Sequence, residues 1–118
     1  MKITREIINT LIADKNWDFF RSYFYYEDGD LTSLLEEYDF NSESNDEEIE
    51  ELKFKRLWSE NFGDGNDMTY VYRIDFDDTD SMIIRCDGWY SSHDESVFTD
   101  VYEAVPYQFT ETRYKNKN

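Results

Sequence analysis

The sequence predicts an α+β domain, an antiparallel β-meander of about four strands packed with N-terminal helices. Three observations carry this prediction. In the stretch from Met68 to Tyr90, Met68, Tyr70, Tyr72, Ile74 and Phe76 alternate with polar or smaller residues, and Met82, Ile84 and Cys86 resume such a face after a polar break. Period two is that of a strand with one buried side. The first forty residues instead repeat their apolar positions at helical spacing. Between the extended segments lie short clusters of Gly, Asn, Asp, Ser and Thr, the chemistry of chain reversal.

Taken in order, Thr4 can cap a first helix running to about Lys15, with Ile7, Ile8, Leu11 and Ile12 on one face. Asn16 is a second cap, and Trp17, Phe20 and Phe24, flanked by Phe19 and Tyr23, form a wide aromatic face on a short helix or an extension of the first. Glu27-Asp28-Gly29-Asp30 ends it, since Gly29 supplies a left-handed C-cap and Asp30 caps the next element. Leu31, Leu34, Leu35 and Tyr38 predict a third short helix. NSESNDEE, residues 41–48, has no apolar residue with which to offset ordering entropy, so it is expected to be a mobile loop.

Ile49 to Glu60 is the first predicted strand, with Leu52, Phe54 and Trp58 on one parity and Lys53, Lys55 and Leu57 on the other. Phe62 to Asp67 carries turn residues, and the central hairpin comes next as strands 68–76 and 82–90 around Asp77 to Ser81. Tyr90 to Asp100 reads as a loop. Pro106 cannot donate to a ladder, so Val101–Val105 and Tyr107–Tyr114 are separate extended segments or one strand broken at an edge, with 107–114 as the fourth strand. Residues 115–118 are expected to fray. The predicted core includes Ile8, Leu11, Phe20, Leu35, Phe54, Tyr72, Ile74 and Ile84.

Composition bounds the rest. At 118 residues the chain fits a single domain, helical over 1–40 and β-rich over 49–114 around the acidic loop. With 10 Tyr, 9 Phe and 3 Trp the core must be aromatic. One cysteine, no apolar run of membrane length and no apolar signal region at the N-terminus imply a soluble protein of a reducing compartment. Twelve Lys and Arg against 28 Asp and Glu give a formal charge of −16, which makes nucleic acid and anionic membranes poor partners and basic proteins good ones. It also disfavours self-association unless an aromatic patch drives it, and the oligomeric state stays open.

Gly88-Trp89-Tyr90-Ser91-Ser92, Glu103-Ala104-Val105-Pro106 and Thr110-Glu111-Thr112-Arg113-Tyr114 together resemble the ends of small, uncharacterised bacteriophage-encoded acidic proteins. The resemblance covers roughly the last third of the chain. It implies phage origin, hence the cytoplasm of an infected bacterium, and a β-rich C-terminal half; it carries no catalytic or binding residue across.

No constellation carries catalytic chemistry. Cys86 and His93 are the only thiol and imidazole, and their plain reading is a small core residue and a solvated loop histidine. Ser91 or Ser92 with His93 and Asp94 is too contiguous for a triad. Asp75, Asp77, Asp78 and Asp80 invite a cation, but EF-hand spacing fails, with Asp80 where the turn glycine belongs and Cys86 where the bidentate Glu belongs. The expectation is therefore a non-enzymatic protein with no catalytic residue, no metal and no cofactor.

Charge distribution says more. Glu27, Asp28, Asp30, Glu36, Glu37, Asp39, Glu43, Asp46, Glu47, Glu48, Glu50 and Glu51 lie between Arg21 and Lys53 with no cation among them. Asp87, Asp94, Glu95, Asp100, Glu103 and Glu111 form a second unrelieved run between Arg85 and Arg113. Single-sign fields of this kind repel themselves and serve steering. The expected partner is a basic nucleic-acid-binding host defence protein, an anti-restriction or anti-CRISPR target, with the twelve acids as the partner-binding residues mimicking DNA. An acidic adaptor without mimicry is the alternative.

Overall fold

Thr4 is extended (φ −108°, ψ 167°), and its side chain accepts the Ile7 N–H at 3.4 Å, which starts helix α1 at Arg5–Ala13. Ile8 and Leu11 are fully buried, with Ile7 and Ile12 packed at their margin. The chain then reverses through Lys15 in a left-handed conformation (φ 56°). Asn16 caps α2, Trp17–Phe20, by accepting the Phe19 N–H at 3.3 Å. From Arg21–Tyr25 the helix loosens into one π turn. Phe20 stacks on Phe24 at 5.9 Å, and Phe24 meets Phe54 and Tyr72 edge-on or tilted at 4.7 and 5.5 Å. Such contacts add to the area these rings bury.

The computed structural model describes residues 2–28, 31, 34, 50–106 and 117. Its sheet is a four-stranded antiparallel meander in the order β1 (Lys53–Asn61), β2 (Asn66–Asp75), β3 (Ser81–Tyr90), β4 (Val97–Glu103). The predicted α+β class and central hairpin are thus both present. Asp77 Oδ1 accepts the N–H groups of Thr79 and Asp80, each at 2.8 Å, and so builds the hairpin turn. Gly63 (φ 97°) and Gly65 (φ 76°) supply the left-handed positions between β1 and β2. Met68, Tyr70, Tyr72, Ile74, Met82, Ile84 and Cys86 all face the helices and are buried.

Several expectations change. Val97 to Asp100 is strand, not loop, because β4 runs Val97–Glu103. Phe98 and Val101, three positions apart, both point inward because Thr99 is an extra residue: Asp87 pairs with Asp100 while Gly88 pairs with Phe98. That bulge hides the alternation from a period-two reading. The fourth strand among the described residues is therefore 97–103, and the segment 107–114 lies outside them.

A second bulge sits in β1, where Arg56 pairs with Tyr72 but Trp58 with Val71. Leu57 is the extra residue, so Trp58 faces away from the helices although Phe54 faces them. The strand also begins at Lys53, three residues after the first described residue of that segment, and Ile49 lies outside the described set. Of the predicted core, Ile8, Leu11, Phe20, Tyr72, Ile74 and Ile84 are buried and Phe54 is partly so. Leu35 is not described. Leu31 and Leu34 are helical, and Leu31 is buried, but the rest of the predicted third helix and the 41–48 loop fall outside the described residues. After the π turn the left-handed residue is Glu27 (φ 51°), a position where glycine was not needed.

Candidate partner-binding surface

Of the twelve acids between Arg21 and Lys53, the structure describes Glu27, Asp28, Glu50 and Glu51, and all four are exposed. They mark the two ends of the acidic run, which are anchored at neighbouring points. Tyr23, on the π turn, has its hydroxyl accepting the Leu52 N–H at 3.1 Å, so the residue just past Glu51 is tied to the helix that ends just before Glu27. Burial raises the pKa of the Tyr23 phenol above its ordinary value, and the carboxylate of Glu51 adds to the rise. The phenol therefore stays a neutral hydrogen-bonding post at the foot of the acidic segment.

Around these two ends the fold gathers acids from elsewhere. Glu50 and Glu51 share a cleft of about 580 Å³ with Asp75, Asp77 and Asp78 of the hairpin tip. Lys2, Lys53 and Arg73 line the same cleft, and Arg73 holds Asp75 at 2.9 Å. Asp77 has its carboxyl held below the usual range by the hydrogen bonds from Thr79 and Asp80. At the other end, Asp28 lines a cleft with Asp94 and Glu95 from the β3–β4 loop, where Arg21 bridges Asp18 and Glu95, each at 3.3 Å. Acids of the first run thus meet acids of the second at one end and the hairpin tip at the other.

Sequence reasoning treated Asp75, Asp77 and Asp78 only as cation candidates and left Asp94 and Glu95 within a separate run. Their convergence on the acidic segment depends on strand register, with Lys53 opposite Asp75, which no local pattern displays. The hairpin aspartates are already engaged: Asp75 by Arg73, Asp77 by its turn, and Asp80 by Arg5 at 2.9 Å. Among the described residues no three His, Cys, Asp or Glu side chains are grouped as metal ligands would be. The rings next to the acidic run in sequence, Tyr23 to Tyr26, divide between core and surface. Tyr23 and Phe24 belong to the core, Tyr25 is partly buried, and Tyr26 alone of that group is exposed, at 46%. Tyr38 lies outside the described residues.

Cys86 and His93 are not brought together. Cys86 is enclosed on the inner face of β3, where burial first and then Asp87 raise its thiol pKa and keep it protonated. His93 stands in the solvated β3–β4 loop with Nε2 3.8 Å from Asp64. No helix among the described residues is long and apolar enough to cross a membrane. Neither family models, nor curated proteins, nor solved structures provide a match to this chain.

Proposed function

We propose that this protein is a non-enzymatic acidic inhibitor, of phage type, that occupies the nucleic-acid-binding surface of a basic host defence protein in the bacterial cytoplasm by imitating DNA. The observation that carries the reading is the run of twelve acids from Glu27 to Glu51 without one cation. Duplex DNA presents one charge per about 1.7 Å of its axis, and a cationic groove that binds it also attracts a surface array of carboxylates. The Tyr23–Leu52 bond that holds the two ends of the run at neighbouring points, and the acids of the hairpin tip and β3–β4 loop beside those ends, support this reading. Such binding calls for no cofactor and no catalytic group.

The test is capture of partners from host lysate at low and high salt, then competition with duplex DNA. Attraction between exposed groups is screened beyond about 8 Å at physiological salt, so association slows as salt rises. Neutralising Glu36, Glu37, Asp39, Glu47, Glu48 and Glu51 to Gln or Asn weakens binding and inhibition while the fold keeps its stability, since self-repulsion falls. A partner that binds this protein and its nucleic acid together, with no mutual loss of affinity, overturns mimicry in favour of an acidic adaptor.

A further inference from the structure

The side of the sheet turned away from the helices has a composition unlike the rest of the chain. Lys53, Lys55, Arg73 and Arg85 stand on it against Glu60, Asp67, Asp75, Asp87 and Asp100, four cations to five carboxylates in a chain of formal charge −16. Trp58 and Trp89 are on the same side, 49% and 47% exposed, with Tyr102 and Val97 also exposed. Exposed aromatic side chains are enriched at protein–protein interfaces, and a nearly balanced set of charges can pair across one.

Its arrangement identifies what covers it. Register places Trp58, Val71, Arg85 and Tyr102 directly across the four strands as one row. On one side of that row lie Lys53, Lys55 and Arg73, with Asp75 held by Arg73 at 2.9 Å; on the other lie Glu60, Asp67, Asp87 and Asp100. Asp87 and Asp100 are direct cross-strand neighbours, a like-charge pair that costs stability unless cations approach. Asp87 is already held by Arg85 at 3.0 Å and by the hydroxyl of Thr69 at 2.8 Å, whereas Asp100 is exposed.

A face with an excess of cations at one end, Trp58 and Tyr102 in the middle and an excess of acids at the other can meet itself under a two-fold rotation, which is the requirement of an isologous contact. We propose that the outer sheet face is a homodimer interface, occupied by a second copy of this chain. An axis across the strands, along the Trp58 to Tyr102 row, lays that row on its own equivalent, Arg85 included, whose charge Asp87 of the same chain balances at 3.0 Å. It also brings Lys53 and Lys55 of each copy over Glu60 and Asp67 of the other, and Asp75 over Asp67, where Arg73 balances Asp75 at 2.9 Å. Four strands about 4.8 Å apart and some eight residues long at about 3.3 Å each bury roughly 500 Å² per copy, about 1,000 Å² in all, the low end for a specific interface. The dimer is therefore reversible and concentration-dependent.

Sedimentation equilibrium of the full chain over a concentration series tests this. The expected result is a monomer–dimer equilibrium that Trp58→Ser weakens by about tenfold or more, as loss of a central aromatic anchor does. The paired variants Lys53→Glu/Lys55→Glu and Glu60→Lys/Asp67→Lys, all at exposed positions, each lose the dimer, and their equimolar mixture recovers it as a heterodimer. The second pair makes the chain less negative, so its loss of association separates local complementarity from overall repulsion. Circular dichroism confirms that each variant is folded, and should Trp58→Ser fail to fold, the charge pairs carry the test. A chain that stays monomeric at every concentration overturns the proposal. A dimer indifferent to Trp58→Ser, or a mixture that fails to reassociate, overturns it as well.

Discussion

The two faces of the same four strands have been given opposite tasks. Met68, Tyr70, Tyr72, Ile74, Met82, Ile84, Cys86, Phe98 and Val101 on the inner face are all buried beneath the helices. Their immediate neighbours in sequence, among them Thr69, Arg73, Asp87 and Trp89, point outward and are half-buried or exposed. Period two therefore separates the residues that make the fold stable from those free to meet a partner. A change of one position along a strand should move the consequence of a substitution from unfolding to altered association.

The largest contrast is Ile74→Asp or Ile84→Asp against Val71→Asp. Either inner-face charge is buried without a partner and should cost several kcal/mol, about the whole stability of a small domain. Circular dichroism and urea melts should show no cooperative transition for the inner variants and a near-normal one for Val71→Asp. A normal melt for Ile84→Asp would mean the inner face is not where the core lies.

Alkali separates the faces next. Burial is the first cause raising the Cys86 thiol and the Tyr72 phenol above their ordinary values of 9.0 and 10.0. The folded chain keeps these protons where the unfolded chain loses them, so the stability they contribute is complete below about pH 9 and declines as pH climbs through the raised folded-state values, by up to about 1.4 kcal/mol per pH unit for each group. Denaturant midpoints between pH 8 and 11 should fall, with buried tyrosinate absorbance appearing only as the chain unfolds. Ionisation of Tyr72 in the folded chain near pH 10 would contradict its burial.

Gly88→Ala comes third. A Cβ at Gly88 would lie 2.1 Å from the Val97 carbonyl oxygen and 2.9 Å from Phe98 Cα, both backbone atoms, so β3 and β4 must separate at a cost of about 3 kcal/mol or more. Gly63→Ala tests a different property, since nothing lies within 4 Å there but its φ is 97°; it should cost about 1 kcal/mol through backbone strain alone.

Arg5→Ala is the smallest. Arg5 joins the start of α1 to the sheet by pairing with Asp80 and Glu103, both at 2.9 Å, by bonding the Ser81 carbonyl, and by lying over the Phe76 ring. Its partners are more than a third exposed, so solvent screening limits the loss to about 1 kcal/mol. A urea midpoint unchanged by Arg5→Ala would show that helix and hairpin tip are held by apolar packing alone.

Short-range features of this protein are legible in the order of its residues, because local chemistry settles them. The Thr4 and Asn16 caps, the face of α1, the Gly63 and Gly65 turn and the Asp77 turn each depend on residues a few positions apart. The alternation from Met68 to Cys86 predicted the inner face because β2 and β3 pair without a bulge. The charge of −16 and its clustering likewise need no fold to be seen. Features that depend on which strand lies beside which emerge only from the tertiary structure. Extra residues at Leu57 and Thr99 turn Trp58 outward and bring both Phe98 and Val101 inward, reversing what uninterrupted parity implies. Pairing of Lys53 with Asp75 carries Glu50 and Glu51 to the hairpin tip, and the Tyr23–Leu52 bond joins the ends of the acidic run. The band of cations, aromatics and acids on the outer face is spread over four strands more than forty residues apart in sequence at its extremes, and only their register assembles it. Residues distant along the chain become neighbours through packing of the aromatic core, and no period or cap encodes that contact.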